Sequence, residues 1–325
     1  MKGIIIIILF FVGINSLSAQ SNALLGKWIL DTSLTPEGKL LPLDDPLFSS
    51  LVIYEFTEKK LAINEHKFDA EFSGNYLIDL GNRKLNYEIR NEYLYIQESN
   101  NSPILCFLKF DDFRRIYPEF QPKEIVYQGK NVFIYNDLVD IKFNNDLTFF
   151  HYIINCTPLI KNKTSANYYF TIKYVLNTTN EISNIEITNI SDEKVKKQLV
   201  NTIQKSAKFY QNNSGKNLLM KEKFLFFKMH EAIDETVEAT YKSFLKGNEF
   251  FNNLRFQEAL VEYENGLEKK FDTEKFYGLF YSEYIIKLGI SYLISEQKEK
   301  ACSTFRKLGD ETNFSVRNFL RYYCQ

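Results

Sequence analysis

Three histidines, four cysteines and several adjacent acids are the side chains of this sequence with the types needed for metal binding, nucleophilic attack or proton transfer. His66, His151 and His230 lie far apart, and His230-Glu231 is followed by Asp234 rather than by a second histidine at the spacing of a zinc-binding helix. His230 and Asp234 share a helix face as a solvated pair. No Cys-x-x-Cys occurs, nor a Gly-x-Ser-x-Gly elbow, nor a glycine loop able to cradle phosphate. The acidic pairs Asp44-Asp45 and Asp111-Asp112 read as turns beside strands. Paired carboxylates for hydrolysis leave no local spacing to find, so that chemistry alone stays open. The expectation is a chain without catalytic residues, metal ligands or cofactor, and not an enzyme.

The elements around these residues therefore matter more than the residues themselves. Lys2, the apolar run Ile4 to Ile14 and the small residues Ser16-Leu17-Ser18-Ala19 read as a secretory signal peptide over residues 1–19, cleaved after Ala19. The run is too short for a permanent transmembrane helix, which needs roughly 20 apolar residues, and no later stretch is long enough. The first cysteine is Cys106, so a lipid anchor at the cleavage site is not expected. With 40 basic against 41 acidic side chains and no long block of either sign, nucleic acid is a poor partner. Aromatics make up 16% of the chain, enough to pack cores through most of its length. The fold class expected is a multidomain α+β protein.

Residues 22–115 read as all strand. Leu25 to Leu30, Leu51 to Phe56, Phe68 to Phe72, Leu85 to Ile89, Tyr93 to Ile96 and Ile104 to Phe110 alternate with period two, and Ser73-Gly74-Asn75 and Gly81-Asn82 supply turns. An antiparallel sheet closing into a barrel, or forming a sandwich, follows. Trp28, the single tryptophan, stands two residues after Gly26 in the first strand. This Gly-x-Trp resembles the lipocalin-like family, in which the tryptophan closes the base of a small barrel. The resemblance implies a barrel that encloses a small apolar ligand; a barrel filled by its own side chains is the other reading.

Residues 145–230 read as strand, strand, helix, strand. Tyr168, Phe170, Ile172 and Tyr174 share one face of a strand, Asn177 to Glu181 form a turn, and Ile182, Ile185 and Ile187 continue into its hairpin partner. Ser191 is placed to cap a helix, with Asp192 and Glu193 in its first turn. Val195, Leu199 and Ile203 give that helix an apolar face toward the hairpin, and Lys221 to Met229 is the last strand. This order, with Phe149 and Tyr152 to Pro158 before it, resembles the C-terminal domain of TonB of the Gram-negative envelope. The usual turn glycine is replaced by Asn180, which tolerates a left-handed backbone. The resemblance implies binding by strand addition at an exposed edge, for which Phe224, Phe226 and Lys228 mark the candidate strand. An edge covered by a neighbouring domain is the alternative. No membrane anchor or proline-rich spacer accompanies the domain, so energy transduction is not expected.

Residues 235–325 are helical. Gly247, Phe250, Ala259 and Tyr263 are followed at the same spacing by Gly289, Tyr292, Ala301 and Phe305, an offset of 42 residues. The spacing resembles the tetratricopeptide repeat, and the small residues allow antiparallel helices to approach. The resemblance implies a concave surface carrying Tyr241, Phe244, Asn248 and Phe251, then Glu283, Ile286, Ile290 and Leu293. That surface suits an apolar peptide or the protein's own sheet domains. A final helix from about Ser315 to Tyr323 would cap the stack. A disulfide between Cys302 and Cys324, closing about 20 residues, would pin it with on the order of 3 kcal/mol. Cys106 and Cys156 read as buried thiols.

Two functions of different class follow. The first is an exported, non-catalytic protein-protein interaction or scaffold protein of the Gram-negative cell envelope, periplasmic or extracellular, that binds an envelope protein or peptide through the sheet edge and the helical groove. The second is a periplasmic protein holding a small apolar ligand in the barrel.

Overall fold

The period-two runs of the N-terminal third form a meander in which almost every strand pairs with its neighbour in sequence. The computed structural model describes residues 23–64, 66–73, 77–162, 168–226, 235–269 and 281–325. The expected signal peptide, His230, Asp234 and Lys228 lie outside these residues. The strands are β1 (Gly26–Leu34), β2 (Ile53–Phe56), β3 (Lys60–Ile63), β4 (His66–Asp69), β5 (Glu71–Ser73), β6 (Leu77–Asp79), β7 (Lys84–Arg90), β8 (Tyr93–Gln97) and β9 (Ile104–Lys109). Their order, β4-β3-β2-β1-β9-β8-β7-β6-β5, places β4 and β5 at the two ends. Only Ala70 separates those two in sequence, so the sheet nearly closes on itself as a barrel, and β1 pairs with both β2 and β9. Asn91 and Glu92 both have positive φ, 50° and 67°, the geometry that a two-residue hairpin turn between β7 and β8 requires.

Alternation sends Trp28, Leu30, Tyr54, Phe56, Leu61, Ile78, Leu85, Tyr87, Leu94, Ile96 and Phe107 into the interior, where they form one apolar cluster. Trp28 is buried, and its indole Nε1 donates to the Leu24 carbonyl at 2.7 Å. The Tyr54 and Phe107 rings pack with centroids 4.5 Å apart. Among the described residues the inward side chains of the sheet thus pack on one another as an apolar core.

The chain divides into two compact units, one comprising the described residues up to Glu119 with Tyr292–Gln325, the other Phe120–Ser291. In the first unit the sheet is joined by α1 (Phe110–Ile116) and by the last two α-helices, which with the helix before them are numbered below. The final one, Phe314–Tyr323, packs against the sheet unit rather than simply ending a helical stack. Its anchor is Asp31. Between Leu30 and Thr32 the register of β1 on β9 slips by one residue, which makes Asp31 the extra residue of a β-bulge and turns its side chain out of the strand's alternation. Arg317 Nη2 donates to Asp31 Oδ1 at 2.7 Å, Arg317 Nη1 to the Asp31 carbonyl at 3.0 Å, and Arg321 Nη1 to Oδ1 at 2.9 Å. Tyr93 Oη donates to Oδ2 at 3.0 Å. Burial would raise the Asp31 carboxyl, but the Arg317 and Arg321 charges outweigh it and hold it below the usual carboxylate range. The Arg317 guanidinium also lies 4.5 Å from the Tyr117 ring centroid.

The second unit holds β10 (Glu124–Tyr127), β11 (Lys130–Ile134), β12 (Ile141–Phe143), α2 (Phe149–Cys156), α3 (Pro158–Asn162), β13 (Tyr168–Leu176), β14 (Ile182–Thr188), α4 (Glu193–Ser206), β15 (Tyr210–Asn212) and β16 (Leu218–Phe226). The larger sheet runs β10-β11-β16-β13-β14, with β12 and β15 as a separate pair. Phe170, Ile172, Tyr174 and Leu176 on one face of β13 pack with Val195, Leu199 and Ile203 of α4. Asp192, not Ser191, caps α4, accepting from the amides of Lys194 and Val195 at 2.9 and 3.3 Å. Asn180 adopts φ 65° in the β13–β14 turn. The last strand starts three residues earlier than the alternation suggests, at Leu218.

The helices are α5 (Glu235–Asn252), α6 (Phe256–Leu267), α7 (Ser282–Ile294), α8 (Lys298–Phe305) and α9 (Phe314–Tyr323). The division between units falls within α7. Cys302 of α8 and Cys324, just after α9, form a disulfide with Cα atoms 5.6 Å apart. The Phe305 and Phe319 rings stack at 4.5 Å.

At Gly247, α5 and α6 approach closely. A Cβ added there would stand 2.4 Å from Cε1 of the buried Tyr263 ring, whose hydroxyl donates to Asn248 Oδ1 at 2.8 Å. Alanine improves helix propensity by about 1 kcal/mol, yet overpacking against a fixed ring costs typically 1–3 kcal/mol. Gly247→Ala is expected to lower the stability of the second unit by about 1–2 kcal/mol, read by urea unfolding. A gain in stability would mean that the Tyr263 ring can step aside.

Candidate functional site: the second side of strand β16

Strand β16 reads Leu218-Leu219-Met220-Lys221-Glu222-Lys223-Phe224-Leu225-Phe226. Leu218, Met220, Glu222 and Phe224 fall in one phase, and their partners on β13 are Leu176, Tyr174, Ile172 and Phe170, all in the apolar core. Lys221 and Lys223 fall in the other phase and are exposed. On this side all nine residues of β16 are paired with β13.

The other side differs. The parallel strand β11 pairs only at Leu218 and Leu219, with Phe133 and Ile134, and its last bond is the Tyr135 amide to the Leu219 carbonyl at 3.1 Å. Beyond that point β11 turns away through Asn136–Val139, where Asn136 Oδ1 accepts from the Leu138 amide at 3.0 Å. In a ladder of alternating bonds, the backbone groups of Lys221 and Leu225 point to the side that β11 has left. Among the described residues no strand pairs there.

Glu222 sits where the pattern calls for an apolar residue. The charge that acts on it is that of Asp137, in the turn after β11. Burial first, then Asp137, raises the Glu222 carboxyl to about 7, and partial burial raises Asp137 as well. The hydroxyls of Tyr174 and Tyr210 meet at 2.6 Å nearby, and burial pushes both well above the usual phenol range. Two residues along, Phe224 is sandwiched between Phe170, at 4.9 Å, and Phe150, at 5.3 Å, in nearly parallel stacking. Phe150 is partly exposed and carries the stack to the surface.

Of the residues expected at a partner-binding edge, Phe224 lies in the core, and by the same alternation its backbone groups face β13, so it offers neither ring nor backbone to the open side. Phe226 ends the strand and Lys228 is outside the described residues. Of those expected on a helical groove, Phe244, Phe251 and Ile290 are buried. The Phe244 ring meets Tyr284 at 5.7 Å, so it joins helices together rather than facing a groove. Asn248 is engaged by Tyr263. Tyr241 is exposed, Ile286 and Leu293 are half-buried, and Glu283 pairs with Lys287 at 2.7 Å.

Asp45 caps a short turn through the Leu47 amide at 2.8 Å, and Asp111 and Asp112 occupy the first turn of α1 rather than a loop. Burial, with Asp31 nearby, pushes the Cys106 thiol up to about 12, which makes it a poor nucleophile. Cys156 is exposed, not buried. In the first unit a cleft of about 940 Å3 lies around the Ala70 bend, with walls from Glu58, Lys59, Asp69, Glu71 and Asp79 beside Phe72 and Leu80. Such charged walls do not suit a small apolar ligand.

Glu222 was the residue that sequence reasoning missed. Its signal is the single acid in phase with Leu218, Met220 and Phe224. The β10–β11 hairpin was missed too, although Gln128-Gly129, with φ 47° and 77°, separates two short alternating runs. Comparison of the chain with protein-family models, with curated proteins and with solved structures finds no match.

Proposed function

We propose that this chain is an exported, non-catalytic interaction protein of a Gram-negative cell envelope, which takes up an extended segment of a partner by strand addition at Lys221–Phe226 of β16. The observation that carries the reading is the asymmetry of that strand, paired along its whole length by β13 and over two residues by β11. An edge on which no described strand pairs with the backbone groups of Lys221 and Leu225 is a template for another strand. The outermost strands are weaker candidates. β10 has four residues, and β14 is held from the β10–β11 turn, with Asn184 Nδ2 donating to Gln128 Oε1 at 2.6 Å and Tyr127 Oη to Glu186 at 2.8 Å.

The likeness to a TonB C-terminal domain is supported by a hairpin, a helix on one face, and a third strand antiparallel to the first. The likeness to tetratricopeptide repeats is supported by the close approach at Gly247 and the burial of Ala259 and Tyr263. With Phe244 and Phe251 buried, α5 and α6 serve mainly as support, while Tyr241 and Glu283 stand at the surface. Export rests on the leader sequence.

Selection from a displayed library of random decapeptides tests the edge. Selected peptides are expected to slow amide exchange at Lys221 and Leu225, and Lys221→Pro, which removes one outward amide while leaving the β13 bonds, is expected to weaken them at least tenfold. Peptides that protect another element and bind the proline variant equally well would overturn the reading.

A further inference from the structure

Lys221 and Phe224 lie three residues apart on β16 and so on opposite faces of the sheet. On the first face the register puts Lys221 directly opposite Lys173 of β13, and Lys173 opposite Glu186 of β14. Lys173 Nζ lies 3.6 Å from Glu186 Oε1, so that carboxylate serves the lysine next to it. Lys221 ends the row among the described strands, exposed and beside a like charge. Like charges directly opposite one another across a strand pair are unfavourable and opposite charges favourable. An acid opposite Lys221 on an added strand completes the row as acid, lysine, lysine, acid.

The other face selects by size. Phe224 stacks on Phe170, its partner on β13, at 4.9 Å and 5°, and on Phe150 of α2 at 5.3 Å and 9°. Two rings sandwiching a third stand on its opposite sides, so Phe150 lies on the side of Phe224 away from β13. A residue opposite Phe224 on an added strand would bring its Cβ to about 5 Å in that same direction. Phe150 already holds this place, with a ring that is partly exposed. A small side chain fits beside it, and a large one meets the ring.

We propose that the segment taken up by β16 carries an aspartate or glutamate opposite Lys221 and, three residues along on the other face, a glycine, alanine or serine opposite Phe224. The spacing is the same for a parallel and an antiparallel segment, because cross-strand neighbours share a face in both. A second copy of β16 does not meet it. The one acid of that strand is Glu222, and three residues from it stand Leu219 and Leu225, both large. The inference rests on the edge reading above.

Decapeptides selected from the displayed random library on the full mature chain test it. Those that slow amide exchange at Lys221 and Leu225 are expected to share an acid three residues from a glycine, alanine or serine. Replacing the acid by lysine is expected to weaken binding about tenfold, and Lys221→Glu to reverse the order of the two peptides. Replacing the small residue by leucine is expected to weaken binding to a similar extent, and Phe150→Ala to restore the leucine peptide by removing the ring it meets. Each variant is thus read by a gain of binding, which a misfolded chain would not give. Peptides that protect Lys221 and Leu225 but are indifferent to either replacement overturn the inference and leave the edge reading standing. Failure of every selected peptide to protect β16 overturns both.

Discussion

Asp31→Ala is expected to destabilise the first unit by about 3–5 kcal/mol, the range for removing one partner from a buried ion pair. Arg317 is almost fully buried, with 3% of its side chain accessible, so without the carboxylate its charge has no route to water. Arg321 is more accessible and loses less. Tyr93 loses its acceptor as well. Breaking the pair costs more than the pair contributes, because the penalty is mostly the desolvated cation left behind. Asp31→Leu with Arg317→Met is therefore expected to recover most of the loss, since replacing a buried pair by apolar groups of similar size is often neutral. The pH dependence has a definite sign. The folded carboxyl is held below its unfolded value, so its contribution is complete above the usual carboxylate range and is lost as the pH falls through the folded value. Trp28 is the single tryptophan and lies in this unit, so its fluorescence in denaturant follows this transition. A loss under 1 kcal/mol in Asp31→Ala would show that water reaches Arg317.

What could be read from the residues was what depends on near neighbours. Alternation located β1, β2, β7, β8, β9 and β13, and the apolar spacing Val195, Leu199, Ile203 located α4. Besides the β10–β11 hairpin, the strands it missed, β3, β6, β12 and β15, are three or four residues long, too short to show a period. Helix caps were placed to within one residue because Ser191 and Asp192 are both capping types, and which one bonds depends on where the chain leaves β14. The Asp31 cluster has no such signal. Its members are 286 residues apart, and the bulge that re-aims Asp31 comes from the register of β1 on β9, which neither strand encodes alone. The spacing at Gly247, Ala259 and Tyr263 correctly marked a close helix approach, but it left open whether the neighbouring aromatics face a partner or each other. Burial of Phe244 and Phe251 decides that locally for internal contacts. At the candidate site, alternation identified the strand but not its neighbours. Whether β16 has an open side depends on where β11 stops, and the β10–β11 hairpin lay in a stretch with no assigned element.

Glu222→Gln is expected to stabilise the second unit at pH 8 and to leave it almost unchanged at pH 4. In the unfolded chain the carboxyl titrates near its ordinary value, about 4.3. In the folded chain, burial and Asp137 raise it to about 7. Between those two values the folded state holds a proton that the unfolded state has released, so stability falls as the pH rises through this window. Below the unfolded value both states are protonated and the penalty is absent; above the folded value it is complete, on the order of 3 kcal/mol. Glutamine keeps the shape and a hydrogen-bond donor but has nothing to ionise, and its stability should be flat across the window for this site. Urea unfolding of both proteins at half-unit steps from pH 4 to pH 8, followed by tyrosine emission or circular dichroism, gives the difference curve. Asp137→Asn should move the wild-type transition to lower pH, because it removes the charge that opposes ionisation but not the burial. A difference curve that is flat would mean that Glu222 reaches solvent in the folded chain. An acid held in phase with Met220 and Phe224 would then have no energetic signature.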